Sequence, residues 1–286
     1  MPEEGINTPR RHPLVELIRL GVMALVALLL LGLALNFSGG HLAGLIPYRT
    51  ELWITGKIDR MLIEAGEESP FSVAASDAPL IEYLNSLGKK VEQALDMELP
   101  MTVQLHYSDE DIVNAFATLG GHVYLYKGLL RQLPHENALT MLLAHEYSHI
   151  QMRHAMRGVG GSLVVSLGAA MLPGGAGVEG QLYSLASSLS NVSFSREMEA
   201  DADSNGLSAV NTLYGHTAGA DDLFALFMAQ RESDDNGRLR RFFSTHPQDS
   251  DRIEAMAAMS REQGWLSEGE LTPLPEGFTE WLKVVN

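Results

Sequence analysis

The chain has 286 residues, with Lys+Arg 20 against Asp+Glu 36, a formal net charge of −16 and 45% hydrophobic residues. That composition excludes a disordered, fibrous or multi-span chain and allows one large domain with an appendage; the negative charge argues against nucleic acid as a partner, because phosphates would repel it. There is no cysteine, which removes disulfides, thiolate metal sites and cysteine nucleophiles together and leaves His, Asp and Glu to hold any metal.

Leu20 to Leu35 reads LGVMALVALLLLGLAL without a charge, roughly 24 Å of helix, and extension through Asn36 and Phe37 approaches the hydrocarbon thickness of a bilayer. Arg10, Arg11 and Arg19 precede the run, so the basic-side rule predicts a single-pass inner-membrane anchor with its N-terminus in the cytoplasm and the remainder periplasmic, or more generally extracytoplasmic. Glu3, Glu4 and Glu16 and the lack of a small-x-small site after Leu35 speak against a cleaved signal peptide. An apolar character on every face, at one end of the chain, speaks against a buried core helix.

Residues 41–76 mix Gly, Pro and charge and read as a tether with one short helix around Trp53 to Ala65. Leu80, Leu84, Leu87, Val91 and Leu95 then form one helical stripe, ended near Pro100. Met101 to Tyr107 alternates as a strand does, with Val103, Leu105 and Tyr107 on one face. Gly120-Gly121 marks a turn before a second strand, His122 to Tyr126, and a helix starting near Leu129. Asn137 to Arg157 carries the strongest helical pattern. Val159 to Leu172, interrupted by Gly160, Gly161 and Gly168, reads as a buried helix or a membrane-facing hairpin. Leu182 to Ala209 and Asp221 to Gln230 read as further helices, and the chain after Trp265 as a peripheral tail.

His145-Glu146-Tyr147-Ser148-His149 is H-E-x-x-H inside the strongest helix. Spacing by four puts both imidazoles on one face, where they can share one metal ion, with Glu146 beside them as general base. A catalytic zinc needs a third protein ligand and an open position for water, and Glu146 would take that water's proton and pass it to the leaving amine. His154, nine residues after His145, is half a turn away and is expected to face away from the metal. The metzincin extension fails, because Met152 and Ala155 stand where Gly and His are required. The helix at SFSREMEADADSNG, Ser193 to Gly206, offers two carboxylate pairs at i,i+4, Glu197 with Asp201 and Glu199 with Asp203. Either could supply a ligand and an acceptor for a ligand imidazole; a solvated acidic face explains the periodicity equally well.

HEYSHIQMRH at His145 to His154, SREMEADADSNG, and NAFATLGGHVYLYKGLL at Asn114 to Leu130 together resemble metallopeptidase family forty-eight. These are membrane-associated zinc endopeptidases that include HtpX, the CAAX prenyl protease, Oma and BepA peptidases, and the likeness runs from about Asp77 to Met256. The resemblance implies a mostly helical α+β zincin domain of the gluzincin kind with a small β-sheet, to which the N-terminal run adds one transmembrane helix. It implies one zinc per chain held by His145, His149 and Glu199, with Asp203 as partner of a ligand imidazole. THPQDSDRI at Thr245 to Ile253 resembles a later family motif. It brings His246 to the site as oxyanion stabiliser or metal cover and Arg252 as its support.

The Gly-Gly stretch implies an edge strand over the cleft, with Asn114, Gly121, His122, Val123 and Tyr124 binding an extended protein substrate by strand addition. The implied organisation is a tail and anchor at 1–40, a tether at 41–76, a zinc metallopeptidase domain at 77–262 and a tail at 263–286. The implied activity is hydrolysis of exposed, unfolded or misassembled envelope proteins. A non-proteolytic zinc chaperone, and a latent peptidase occluded by His246 or residues 158–180, are the competing readings. Absence of multiple spans and of a helical-repeat domain favours a single-anchor envelope protease within the family. Leu119, where the family commonly has proline, puts only the turn geometry in question.

Overall fold

The computed structural model describes residues 13–37, 46–66, 79–159, 180, 193–231, 237, 239–247 and 250–282. Among these, helices surround a three-stranded sheet. Helix α1 (Pro13–Phe37) is 25 residues long, and its side chains Leu14, Leu17, Ile18, Leu20, Val22, Leu25 and Leu30 are all exposed. The apolar run expected to cross a bilayer continues through 31–35, whose side chains lie outside the described residues. Among the described residues no helix is long and apolar enough to cross a membrane. The expected apolar hairpin at Val159 to Leu172 also lies outside them, apart from Val159.

Helix α3 (Pro79–Ala94) buries Leu80, Leu84, Leu87 and Val91, the stripe expected from spacing. Each such side chain contributes on the order of 1.5–3 kcal/mol relative to exposure. Strand β1 (Gln104–Ser108) follows, then β2 (Ala115–Ala117), a strand that sequence reasoning did not find. The chain next makes a tight turn with Gly120 and Gly121 at φ 78 and 83, a left-handed conformation that side chains with a Cβ avoid. It then enters β3 (His122–Tyr126) and the single-turn helix α4 (Lys127–Leu130). The sheet order is β1-β3-β2, with β1 parallel to β3, pairing Leu105 with Val123, and β2 antiparallel, pairing Phe116 with Tyr124.

Helix α5 (Glu136–Gln151) is capped by His135, whose ring accepts from the Ala138 amide, and is buried from Asn137 through Ile150. It ends earlier than the pattern suggests. Arg153 takes a left-handed φ of 57, and 154–159 is helical again in a new direction. Helix α6 (Arg196–Tyr214) starts on a Ser195 cap that accepts from Met198 N–H and stops at Gly215 with φ 76. The two helices touch closely at Gly206, where a Cβ would lie 2.9 Å from Met141 Sδ. Helices α7 (Asp222–Arg231), α8 (Arg240–Thr245) and α9 (Ser250–Glu262) complete the wall.

Two segments depart from expectation. The 41–76 region contains α2 (Tyr48–Glu64), which begins five residues before the expected helix and buries Glu51, Ile54, Thr55, Ile58 and Leu62. It forms a second apolar cluster with Leu119, Ala155, Met156 and Phe194, so this stretch is part of the folded body. The expected peripheral tail is likewise fastened. Thr272 bonds Glu136 N–H through its carbonyl, and its own amide donates to Asn137 Oδ1. Phe278 of α10 (Phe278–Trp281) is buried against the main core.

Candidate metal centre

The helical pitch of α5 stacks His145 over His149, with Nε2 atoms 3.1 Å apart. From α6 Glu199 reaches toward both, its carboxylate 3.6 Å from His145 Nε2 and 3.5 Å from His149 Nε2. His246, at the end of α8, adds Nδ1 at 3.3 Å from His145 Nε2 and 3.1 Å from Glu199 Oε1. All four residues are buried, with one donor atom each inside a 4.8 Å set. A tetrahedral ion with ligands at about 2.0–2.1 Å spaces its donors about 3.3–3.4 Å apart, so the His-His-Glu-His cluster fits zinc in both chemistry and size.

The carboxylate pair is resolved by the fold. Glu199 and Asp203 are buried on α6, whereas Glu197 is exposed and Asp201 half-buried. Asp203 Oδ1 accepts from His145 Nδ1 at 3.0 Å, which leaves His145 Nε2 free to ligate. Arg252 from α9 spans both acids. Its Nε and Nη2 donate to Asp203 at 2.7 Å, and Nη1 donates to Glu199 Oε2 at 2.7 Å. Burial works to raise the Asp203 pKa, but its bonds to His145 and Arg252 outweigh it and hold the acid below the ordinary range.

Burial drives His149 well below the usual imidazole range, so it is neutral and offers a lone pair. Burial also lowers His246, yet the Glu199 and Glu146 carboxylates outweigh it and lift His246 to about 9. The same negative field is what a divalent cation would meet among these donors. Glu146 is wholly buried; its carboxylate has no side-chain hydrogen bond, and the Ala117 amide is the backbone donor that faces it. Oε1 lies 3.5 Å from His246 Nε2. Burial raises its pKa, with His246 and His145 opposing.

His154 is outside the donor set, as expected, but it does not face away. Because the chain breaks at Arg153, its ring folds back and its Nδ1 lies 2.7 Å from His149 Nδ1. With His149 ligating through Nε2, its Nδ1–H donates to His154. Phe194 stacks on the other side of His149 at 3.9 Å between centroids. Both contacts depend on where the helix ends, which i,i+4 spacing does not encode. Replacing His154 by Ala is expected to weaken zinc binding about 10–100-fold, read by competition with a chromophoric chelator.

The strand expected at the rim is in the centre. β3 is paired on both edges, so it has no backbone groups left for a substrate strand. Val123 is in the main core. His122 bonds His106, and Tyr124 stacks on His106 and Phe116. Gly121 is buried in the turn. Asn114 is fully buried and accepts from Thr245 Oγ1, which ties the start of β2 to the residue before His246. Among the described residues β1 and β2 are the two edges of the sheet, and β2 is the one beside the donor cluster. Thr118 N–H bonds His122 O and Tyr126 N–H bonds Asn114 O, so by antiparallel alternation Ala115 and Ala117 turn their backbone groups away from β3. The Ala115 carbonyl meets His246 Nε2 at 3.2 Å, and the Ala117 amide lies beside Glu146.

The model for Peptidase family M48 matches residues 81–260. The chain is 33% identical over 146 residues to the beta-barrel assembly-enhancing protease of Yersinia pestis, a match covering 46% of this chain and 29% of that protein. It is 28% identical over 194 residues to the mitochondrial metalloendopeptidase OMA1 of Schizosaccharomyces pombe, covering 68% and 55% respectively. It is also 28% identical over 248 residues to a protease HtpX homolog of Methylibium petroleiphilum, covering 72% and 82%. The chain spans less than a third of the length of the beta-barrel assembly-enhancing proteases that it matches.

Proposed function

Because the chain belongs to peptidase family M48, we propose that it is a zinc-dependent endopeptidase acting on exposed, unfolded or misassembled envelope proteins. The observation that carries the hydrolytic reading is Glu146. A wholly buried carboxylate with no side-chain partner is costly to the fold, and holding a metal does not require it; a proton acceptor facing the donor cluster explains it. His145, His149 and Glu199 would hold one zinc per chain, which when bound would supply Lewis acidity toward a water and a peptide carbonyl. Glu146 accepts the proton of the attacking water and returns it to the leaving amine.

The edge of β2 that faces away from β3 supports binding of an extended peptide by strand addition through Ala117, and through Ala115 once His246 releases its carbonyl. A backbone-read substrate carries little side-chain selectivity, which suits unfolded chains. Ala117→Pro removes an outward N–H at a position where an edge strand tolerates proline. It is expected to lower kcat/KM for casein several-fold, through weaker strand addition and through loss of the amide beside Glu146; an unchanged kcat/KM would remove β2 from substrate binding. The exposed apolar surface of α1 supports a single inner-membrane anchor with the body on the extracytoplasmic side. One relative is named for enhancing beta-barrel assembly, which is consistent with envelope substrates.

Casein cleavage by the full chain tests the reading. It is expected to stop on chelation and to return with zinc; a zinc-loaded chain that never cuts casein or any loosely folded protein would favour a zinc-containing chaperone instead. One geometry favours a second reading, a latent peptidase. His246 Nδ1 stands at the fourth corner of the donor set, where a catalytic zinc keeps an open position. In that reading His246 withdraws with the end of α8 before water enters, and the Thr245–Asn114 bond couples this to β2.

A further inference from the structure

We propose that the outward face of α2 docks on an anionic phospholipid surface and holds the peptidase body against the bilayer. The inference rests on the membrane-anchor reading of α1 and adds a second, peripheral contact. The inner face of α2 is committed to the protein, as Ile54, Ile58 and Leu62 pack on Leu119, Ala155, Met156 and Phe194. The outer face carries Arg49, Leu52, Trp53, Lys57, Arg60 and Ile63, all exposed. At about 100° per residue these positions share an arc of about 140°.

Two independent features of that arc point to lipid. Trp53 is 48%, Leu52 41% and Ile63 58% exposed on one helix, large apolar groups of the kind that settle at a headgroup boundary. Between them stand three cations and one exposed acid, Glu64, which leaves the arc net positive in a chain whose net charge is −16. A basic face on so acidic a protein is complementary to anionic headgroups, and long Lys and Arg stems let the charges reach phosphate while tryptophan dips below. Reach is satisfied, since nine residues from Phe37 to Ile46 extend at most about 32 Å.

Docking would also orient the metal centre. Glu51 on the inner face accepts from Arg153 Nε at 2.7 Å and from the Gly120 amide at 3.4 Å. Arg153 follows His149 by four residues. The helix that meets lipid is therefore fastened both to the end of the metal-bearing helix and to the turn between β2 and β3.

The test uses the full chain in liposomes with Trp265→Phe and Trp281→Phe, which leaves Trp53 as the sole remaining tryptophan of three. Flotation with the vesicles reports the α1 anchor, and Trp53 fluorescence reports α2. In bilayers containing phosphatidylglycerol, Trp53 emission is expected to shift to the blue and to be quenched by lipids brominated near the headgroup. Arg49→Glu, Lys57→Glu and Arg60→Glu together should at least halve that quenching while zinc content and casein cleavage stay at the parent level. Molar salt should act in the same direction. Flotation with solvent-like, unquenched Trp53 would overturn α2 docking and leave the anchor standing. A blue shift without quenching would assign the face to a contact between copies of this chain and also overturn it. Failure to float, with Trp53 unquenched, would remove both readings.

Discussion

Replacing Glu146 by Gln is expected to lower kcat for casein by about 10²–10⁴-fold and to leave zinc bound. The carboxylate is faced by the Ala117 amide and by His246 Nε2 at 3.5 Å, contacts that the amide oxygen of Gln can keep. The metal donors are other residues, so occupancy should be unchanged. A buried anion with no side-chain hydrogen bond costs the fold more than a neutral amide of the same shape, so the thermal midpoint should match or exceed that of the parent. Parallel kinetics, zinc analysis and calorimetry check this. Retained cleavage would exclude Glu146 as the proton acceptor, and lost zinc would mean that it is a ligand.

The second large effect is expected at Arg252. This guanidinium is shared by Glu199 and Asp203, all three being buried, and it lies 5.3 Å over the Phe224 ring. Arg252→Ala leaves two buried acids without their cation, a change that costs about 3–5 kcal/mol when a buried pair is broken. Zinc restores part of that balance, so the loss should be larger in the metal-stripped protein than in the zinc form. Arg252→Lys should rescue only partly, because a point charge cannot bond both carboxylates as the planar fork does. Denaturant unfolding of both variants with and without zinc provides the comparison. Equal stability losses with and without zinc would show that Arg252 acts by packing alone.

The parts of this site that depend on helical periodicity were legible before the structure. His145, Glu146 and His149 follow from one turn of helix, and the α3 stripe of Leu80, Leu84, Leu87 and Val91 follows from spacing, although Leu95 falls past the helix end. Periodicity could not choose between Glu197/Asp201 and Glu199/Asp203, because both pairs have i,i+4 spacing; packing of α6 on α5 decides which faces inward. The family motif, read residue by residue, singled out Glu199 and Asp203, which are the two acids that α6 buries.

What was not legible depends on where chains stop and which neighbours they meet. Three residues of β2 are too few to show alternation, and without that strand β3 reads as an edge. The left-handed Arg153 ends α5 and brings His154 back to His149, whereas an unbroken helix would turn it away. α2 looked like linker because Arg, Lys and Trp on its outer face mask an inner face of Ile54, Ile58 and Leu62. Its partners Leu119 and Phe194 are distant in sequence.

X-ray absorption at the zinc edge of the purified full chain, with elemental analysis of the same sample, tests the central claim most directly. The account predicts one zinc per chain, nitrogen and oxygen ligands at about 2.0–2.1 Å, the outer-shell pattern of imidazole rings and no sulfur. That signal should disappear in His145→Ala. A chain that binds no zinc, or holds it equally well without His145, would contradict the assignment of the metal centre on which the catalytic account rests.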